Sequence, residues 1–401
     1  MNPKPITILV FSLALLFAGC GGGSGGSSST SSGASSASAN KMQLTVSSGP
    51  YNAYINAPFT SVTICAPGTS SCQTIGGILI DTGSYGLRIF ASKLNVALKQ
   101  ETQSSGKIGE CAVFGSFAGW GPVATAAVKL AGERAITVPV QVFNDSSFNA
   151  VPTACTQYGV PMLSTPSQAG FNGVLGVGLF RHDCGQACST SSSIGAYYSC
   201  TQQSCTGTTE PLSEQVQNPV WLLPVDNNGV LISLPQLGPS GAPSVNGSLI
   251  FGIGTESNNA LGSAKVYTVD SAGNFATTYK GTSLPNSFID SGSNGFFFPD
   301  SSIAQCPANS NAPGFYCPSS TLSLSAVNAG QDGTTGTVDF QVANANNLFA
   351  GSNSAFSNIG GSLPDFAGAF DWGLPFFFGR TVFVAINGQS SPGGTGPYWA
   401  Y

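Results

Sequence analysis

Two stretches of this chain spell the same short pattern. Gly77-Ile78-Leu79-Ile80-Asp81-Thr82-Gly83-Ser84 is an apolar run ending in an aspartate, a hydroxyl residue, a glycine and a serine. Ser287-Phe288-Ile289-Asp290-Ser291-Gly292-Ser293 repeats it, with its aspartate 209 residues further on. An apolar strand holds a carboxylate against a rigid wall, glycine lets the backbone turn closely beneath it, and the hydroxyls supply hydrogen bonds that fix its direction. One such stretch reads as an ordinary turn in which aspartate bonds its own backbone. Two copies, one in each half of the chain, ask for a fold with two matched halves, each presenting one carboxylate.

The rest of the chain suits strands. Only 7% of its 401 residues are charged, while Gly, Pro and Phe number 52, 25 and 26; abundant turn formers and few long charged side chains favour many short strands over helices. Strand-like runs include Met42–Ser47, Gly77–Ile80, Val123–Leu130, Ala135–Phe143, Ser248–Phe251 and Thr381–Ile386. Helical spacing is confined to Ser92–Lys99 and Pro299–Gln305. The fold class is therefore all-β. About 360 residues outside the N-terminal region exceed what one hydrophobic core organises, so two lobes are expected. These are residues 42–235 and 236–401, with the crossing in the Gly/Pro/Asn-rich stretch from Asp226 to Asn246.

The N-terminus sets a compartment. Lys4 precedes an uncharged apolar run, Ile6 to Phe17, too short for a spanning helix and suited to a signal peptide. Ala18-Gly19-Cys20 at its end resembles the lipobox of bacterial lipoproteins. That resemblance implies removal of residues 1–19, lipidation of Cys20 and, with Gly21 in place of Asp, an outer-membrane anchor on its periplasmic or surface face. Residues 20–41 then read as a Gly/Ser-rich tether. The ten remaining cysteines fall into local pairs: Cys65 with Cys72, Cys184 with Cys188, Cys200 with Cys205, and Cys306 with Cys317, which leaves Cys111 for Cys155. In an exported protein the default for such a set is disulfides.

Several functions are excluded or disfavoured. A net charge of −5 and 12 Lys and Arg leave no basic stripe for nucleic acid. With a single histidine, His182, and no paired C-x-x-C, no zinc site or other metal centre is expected. His182 beside Asp183 lacks the G-x-S-x-G elbow of a serine triad and reads as a surface residue. Gly173–Gly178 lacks the spacing and acidic partner of a dinucleotide loop, so no cofactor is expected. Phe296–Phe298 and Phe376–Phe378 read as core or cleft wall.

From about Leu44 to Ala400 the chain resembles the pepsin-type aspartic proteases, which are two-lobed, all-β proteins with β-barrel-like lobes and a central cleft. Beyond the two aspartate loops, the likeness rests on motifs in the same order as in that family. These are Tyr85-Gly86-Leu87 with Ile89, the flap-like Phe114-Gly115 with Gly121, and Asn172-Gly173-Val174-Leu175-Gly176-Val177-Gly178. Pro219-Val220-Trp221, Gly247–Gly252, and Trp372-Gly373 with Phe376 follow. The resemblance implies that Asp81 and Asp290 form a catalytic pair. It further implies that Thr82 and Ser291 lock the two loops together, and that Ser84 and Ser293 bond the outer carboxylate oxygens above Gly83 and Gly292. Phe114 stands where the family has its flap tyrosine, and Arg88 where it has a tryptophan, a place that Trp120 would fill. Two readings follow: a monomeric endopeptidase acting on peptide or protein substrates without a cofactor, or a non-catalytic module binding peptides or glycans in the cleft.

Overall fold

The computed structural model describes residues 39–103, 106–148, 150–201, 204–362 and 368–401; the apolar leader, Cys20 and most of the tether lie outside the described residues. Strands dominate, and the described helices are single turns of three to five residues. Neither stretch with helical spacing becomes an α-helix. Ser92–Lys99 overlaps the 3₁₀ turn Ala91–Lys93 and, at its last residue, the strand Lys99–Gln100, and Pro299–Gln305 is turn and coil. Segments this short do not offset helix nucleation. At the second, the Asp300 carboxylate accepts from the Ser302 amide at 2.9 Å and its hydroxyl at 2.6 Å, which closes a turn instead.

The two halves are built alike. In the first, Ala57–Cys65 and Cys72–Asp81 run antiparallel and deliver Asp81 at a strand end. Gly173–Val177 lies parallel to that strand, with Gly176 opposite Asp81, and antiparallel to Tyr85–Phe90 on its other side. The chain thus leaves at Asp81, turns through Thr82-Gly83-Ser84 and returns on the far side of the crossing strand. In the second half, Thr282–Ile289 delivers Asp290, lies parallel to Asp371–Trp372, and that strand is flanked antiparallel by Phe296–Phe297. Both crossings need glycine for one steric reason. A Cβ on Gly176 would lie 2.4 Å from the Tyr85 nitrogen, and one on Gly373 would lie 2.1 Å from the Gly295 oxygen.

A shared sheet joins the halves. Lys41–Ser47, Val245–Phe251, Gly229–Leu234, Arg380–Ala385 and Tyr398–Ala400 pair antiparallel in that order. The first of these strands thus lies beside one from the second half, and Gly229–Leu234, which ends just before residue 235, is the middle strand of the five. Packing is strongly aromatic in the second lobe. Phe370 stacks on Trp372 at 4.0 Å and on Phe298 at 4.7 Å, and the Trp372 indole N–H donates to Thr277 Oγ1 at 3.1 Å. Phe296–Phe298 and Phe376–Phe378 are all buried. Each such ring contributes roughly 2–3 kcal/mol by leaving water. All five expected disulfides form, including Cys111–Cys155 across 44 residues. Among the described residues no helix is long and apolar enough to cross a membrane.

Candidate active site

Asp81 and Asp290 meet between the halves. Both are fully buried, and their carboxyls come together at Gly83, whose amide holds Asp81 and whose α-carbon abuts the Asp290 carboxyl. The loops that carry them hold each other. The Thr82 amide donates to Ser291 Oγ at 3.1 Å and the Ser291 amide to Thr82 Oγ1 at 2.9 Å. The same hydroxyls donate across the divide, Thr82 to the Ile289 carbonyl at 3.2 Å and Ser291 to the Ile80 carbonyl at 2.9 Å. Each aspartate is also gripped by its own loop. The Gly83 amide reaches Asp81 Oδ1 at 2.8 Å and the Gly292 amide reaches Asp290 Oδ1 at 2.7 Å. Ser84 donates to Asp81 Oδ2, and Ser293 to Asp290 Oδ2 at 2.9 Å. The arrangement is two-fold in its bonds as well as in its strands.

A hairpin overhangs the first aspartate loop. Gly106–Val113 and Ala118–Lys129 form it, and the Phe114 amide donates to the Phe117 carbonyl at 2.8 Å to close the tip that holds Gly115. Phe114 is buried, stacked on Phe117 at 4.4 Å. Beneath it Arg88, also buried, is fully engaged. Nη2 meets Glu110 at 2.5 Å and Asp183 at 3.1 Å, Nη1 donates to the Tyr85 carbonyl at 2.6 Å, and Nε donates to Gln141 Oε1 at 3.1 Å. Its guanidinium lies 5.6 Å from the Phe114 ring centre. Trp120 does not fill the place opened by Arg88: it packs against Phe148 and Tyr198 and donates to the Phe148 carbonyl. A cavity of about 280 Å³, lined by Ser84, Arg88, Glu110, Phe114, Gly115 and Asp183 among others, opens here, one hydrogen bond from Asp81. His182 is not a free surface residue. It is half-buried with its ring 5.8 Å from that of Trp221, and burial with the nearby Arg181 charge pushes its pKa down to about 4, so it stays neutral.

The profile of the family described as Protein of unknown function (DUF3443) matches residues 36–401. The chain belongs to this family. No curated protein matches its sequence. Among solved structures, an aspartic proteinase from Irpex lacteus is similar, with a TM-score of 0.51 and 18% identity over 90% of this chain and 96% of that one. That likeness is one of fold: this member of the DUF3443 family has the two-lobed, all-β pepsin-like architecture.

Charge within the site is uneven. Burial raises the pKa of both aspartates. For Asp81 the rise is opposed by Ser84, by a hydrogen bond from Asp290, by the Gly83 amide and by the Arg88 charge. Asp290 is driven higher by the negative charges of Asp81 and Asp371. Both carboxyls are thus pushed towards the protonated form, and the two titrate as one unit.

Asp371 is the neighbour that sequence reasoning missed. It is fully buried, neither carboxylate oxygen has a hydrogen-bond partner among the described residues, and the Ser293 hydroxyl beside it is committed to Asp290. Burial first, then the Asp81 charge, lifts its pKa well above the ordinary carboxylate value. The available signal was a lone acid between Phe370 and Trp372 in an apolar run. A carboxyl that keeps its proton in the native state costs nothing below about pH 4, where the unfolded chain is protonated too. It costs progressively more as pH rises towards its raised native value. Asp371→Asn removes that cost, so its melting temperature should match the parent near pH 4 and exceed it near pH 7. Parallel melting curves at both pH values would show that Asp371 holds no proton.

Gly83 faces the partner aspartate. A Cβ there would stand 2.9 Å from Asp290 Cγ and 3.0 Å from both of its oxygens. Gly83→Ala should displace the Asp290 carboxyl by a few tenths of an ångström. Any hydrolytic rate that depends on the pair should then fall by roughly tenfold to a hundredfold, with the fold intact. Turnover and melting measured on one preparation separate the two effects.

Proposed function

We propose that this chain is an aspartic endopeptidase that hydrolyses peptide bonds in extended polypeptides, with Asp81 and Asp290 as its catalytic pair. One observation carries the reading: two buried carboxyls brought together at Gly83, each gripped by its own loop, on loops that lock each other. Two carboxyls this close do not both ionise, and the split supplies an acid and a base at once, as in the carboxyl pairs of aspartic proteases generally. Ionised Asp81 takes a proton from a water molecule as the water oxygen bonds to the scissile carbonyl carbon. Asp290 gives its proton to the carbonyl oxygen, producing a neutral tetrahedral diol. Collapse breaks the carbon–nitrogen bond, the leaving nitrogen takes a proton, a diol hydroxyl gives one back, and the pair again holds a single proton. Ser84, Ser293 and the two glycine amides keep the four oxygens aimed throughout.

Five disulfides suit an oxidising compartment, and Ala18-Gly19-Cys20 suits a lipid anchor, so the enzyme is proposed to be exported and tethered at the outer membrane. Phe114 and Arg88 favour a second reading, a module of the same fold that binds peptides or glycans without cleaving them. A soluble form lacking residues 1–38 decides between them. Cleavage of denatured protein at acidic pH, blocked by a statine-type inhibitor, is the expected result. An intact substrate at every pH, with peptide still bound, selects the binding module.

A further inference from the structure

Glu101 and, far along the chain from it, Glu210 and Glu214 come together outside the catalytic region. Glu101 lies between the short strands Lys99–Gln100 and Thr102–Gln103, while Glu210 and Glu214 sit on the turn after Cys205–Gly207. One carboxylate oxygen from each lies within 4.8 Å of the others. Oxygens bound to one calcium ion at 2.3–2.6 Å are at most about 5 Å apart, so the spacing is that of a shared hard cation.

A cluster of acids alone would prove little, but Glu210 adds a separate observation. It is fully buried, and neither of its carboxylate oxygens has a hydrogen-bond partner among the described residues. A buried carboxylate without donors is expensive unless something positive or a proton meets it.

We propose that Glu101, Glu210 and Glu214 bind a calcium ion. Three carboxylates supply up to six oxygens, and all are hard donors, with no nitrogen or sulfur ligand to favour zinc or copper. Glu214 is exposed, which leaves a route in and room for water to complete the shell. The backbone under the ligands is fixed. The Glu101 amide donates to the Val123 carbonyl at 2.9 Å, the Ile108 amide to the Glu101 carbonyl at 2.9 Å, and the Glu210 amide to the Cys188 carbonyl at 2.9 Å. Thr125 Oγ1 also aims Glu101 from 3.0 Å. The ion would pin the 208–215 turn to the base of the Gly106–Val113 hairpin, which carries Glu110 and the wall of the catalytic-side cavity.

The test uses the purified full chain, stripped with EDTA and titrated calorimetrically with calcium chloride, with magnesium chloride as a parallel arm. One calcium site with a dissociation constant between roughly 10⁻⁶ and 10⁻³ M, a raised melting temperature, and at least tenfold weaker magnesium binding are expected. Glu210→Gln should weaken calcium binding at least tenfold while melting no lower than the ion-free parent; should that variant not fold, Glu214→Gln, on the exposed side, should weaken it as well. No calcium heat and no shift in melting, calcium affinity unchanged in the folded variants, or magnesium bound as tightly as calcium each overturns the assignment. Because binding is read without substrate, its failure leaves the protease reading standing, and the converse.

Discussion

Asp81→Asn is expected to slow peptide-bond cleavage at least about a thousandfold, roughly 4 kcal/mol of barrier, with the protein still folded. The amide fills the same space and its oxygen still accepts from the Gly83 amide, while its nitrogen can only donate to the Ser84 hydroxyl that Oδ2 accepts from in the parent, and it takes no proton from water. Asp290→Asn should lose as much, because the carbonyl oxygen then has no acid to protonate it. The double variant should be scarcely worse than either, since two groups acting as one unit are not additive. Each variant also removes a buried acid from a crowded site, so none should melt below the parent. Turnover of a denatured protein substrate, with melting curves on the same samples, tests this directly. A variant that keeps more than a tenth of the parent rate would take that aspartate out of the chemistry.

The second large effect concerns stability. Arg88 joins Glu110 and Asp183 in a buried cluster, with Tyr197 donating to Asp183 at 2.8 Å and Gln141 to the Glu110 carbonyl at 2.6 Å. Burial and the Glu110 charge already push the pKa of Asp183 well up. Arg88→Ala would strand Glu110 in the interior without its cation, a change that typically costs about 3–5 kcal/mol. The melting temperature should drop by several degrees. Arg88→Lys should recover only part, because an ammonium does not reach the guanidinium's four partners at once. Arg88→Met combined with Glu110→Gln and Asp183→Asn should recover most of it, since uncharged groups of similar size need no counter-ion. If Arg88→Ala melts with the parent, the cluster contributes nothing to the fold.

What could be read from the sequence was local or repeated. The two aspartate loops announced themselves because each is a contiguous pattern and the pattern occurs twice. The five disulfides were legible because four close within eleven residues or fewer and the fifth was left by elimination. Turn chemistry and apolar runs placed the strands, whereas Ser92–Lys99 and Pro299–Gln305 misled because helical spacing over so few residues carries no cooperative advantage. The remainder depends on neighbours set by the fold. Arg88 read as a missing tryptophan, and only tertiary structure shows it paired with residues 22 and 95 positions away. Trp120 was assigned to that vacancy on proximity in sequence, but its strand turns it towards Phe148. Asp371, one residue before the Trp372-Gly373 motif, drew no reading of its own, and nothing local said that its strand passes beside Asp290. The three glutamates are likewise invisible until residue 101 meets residues 210 and 214.

The pH dependence of kcat/KM for cleavage of a denatured substrate, from about pH 3 to 8, tests the central claim most directly. A carboxyl pair holding one proton should give a bell in the acidic range, rising as the pair loses its first proton and falling as it loses the second. A rate that climbs steadily through neutral pH, or no cleavage anywhere in the range by protein whose statine-type inhibitor also fails to bind, would contradict it.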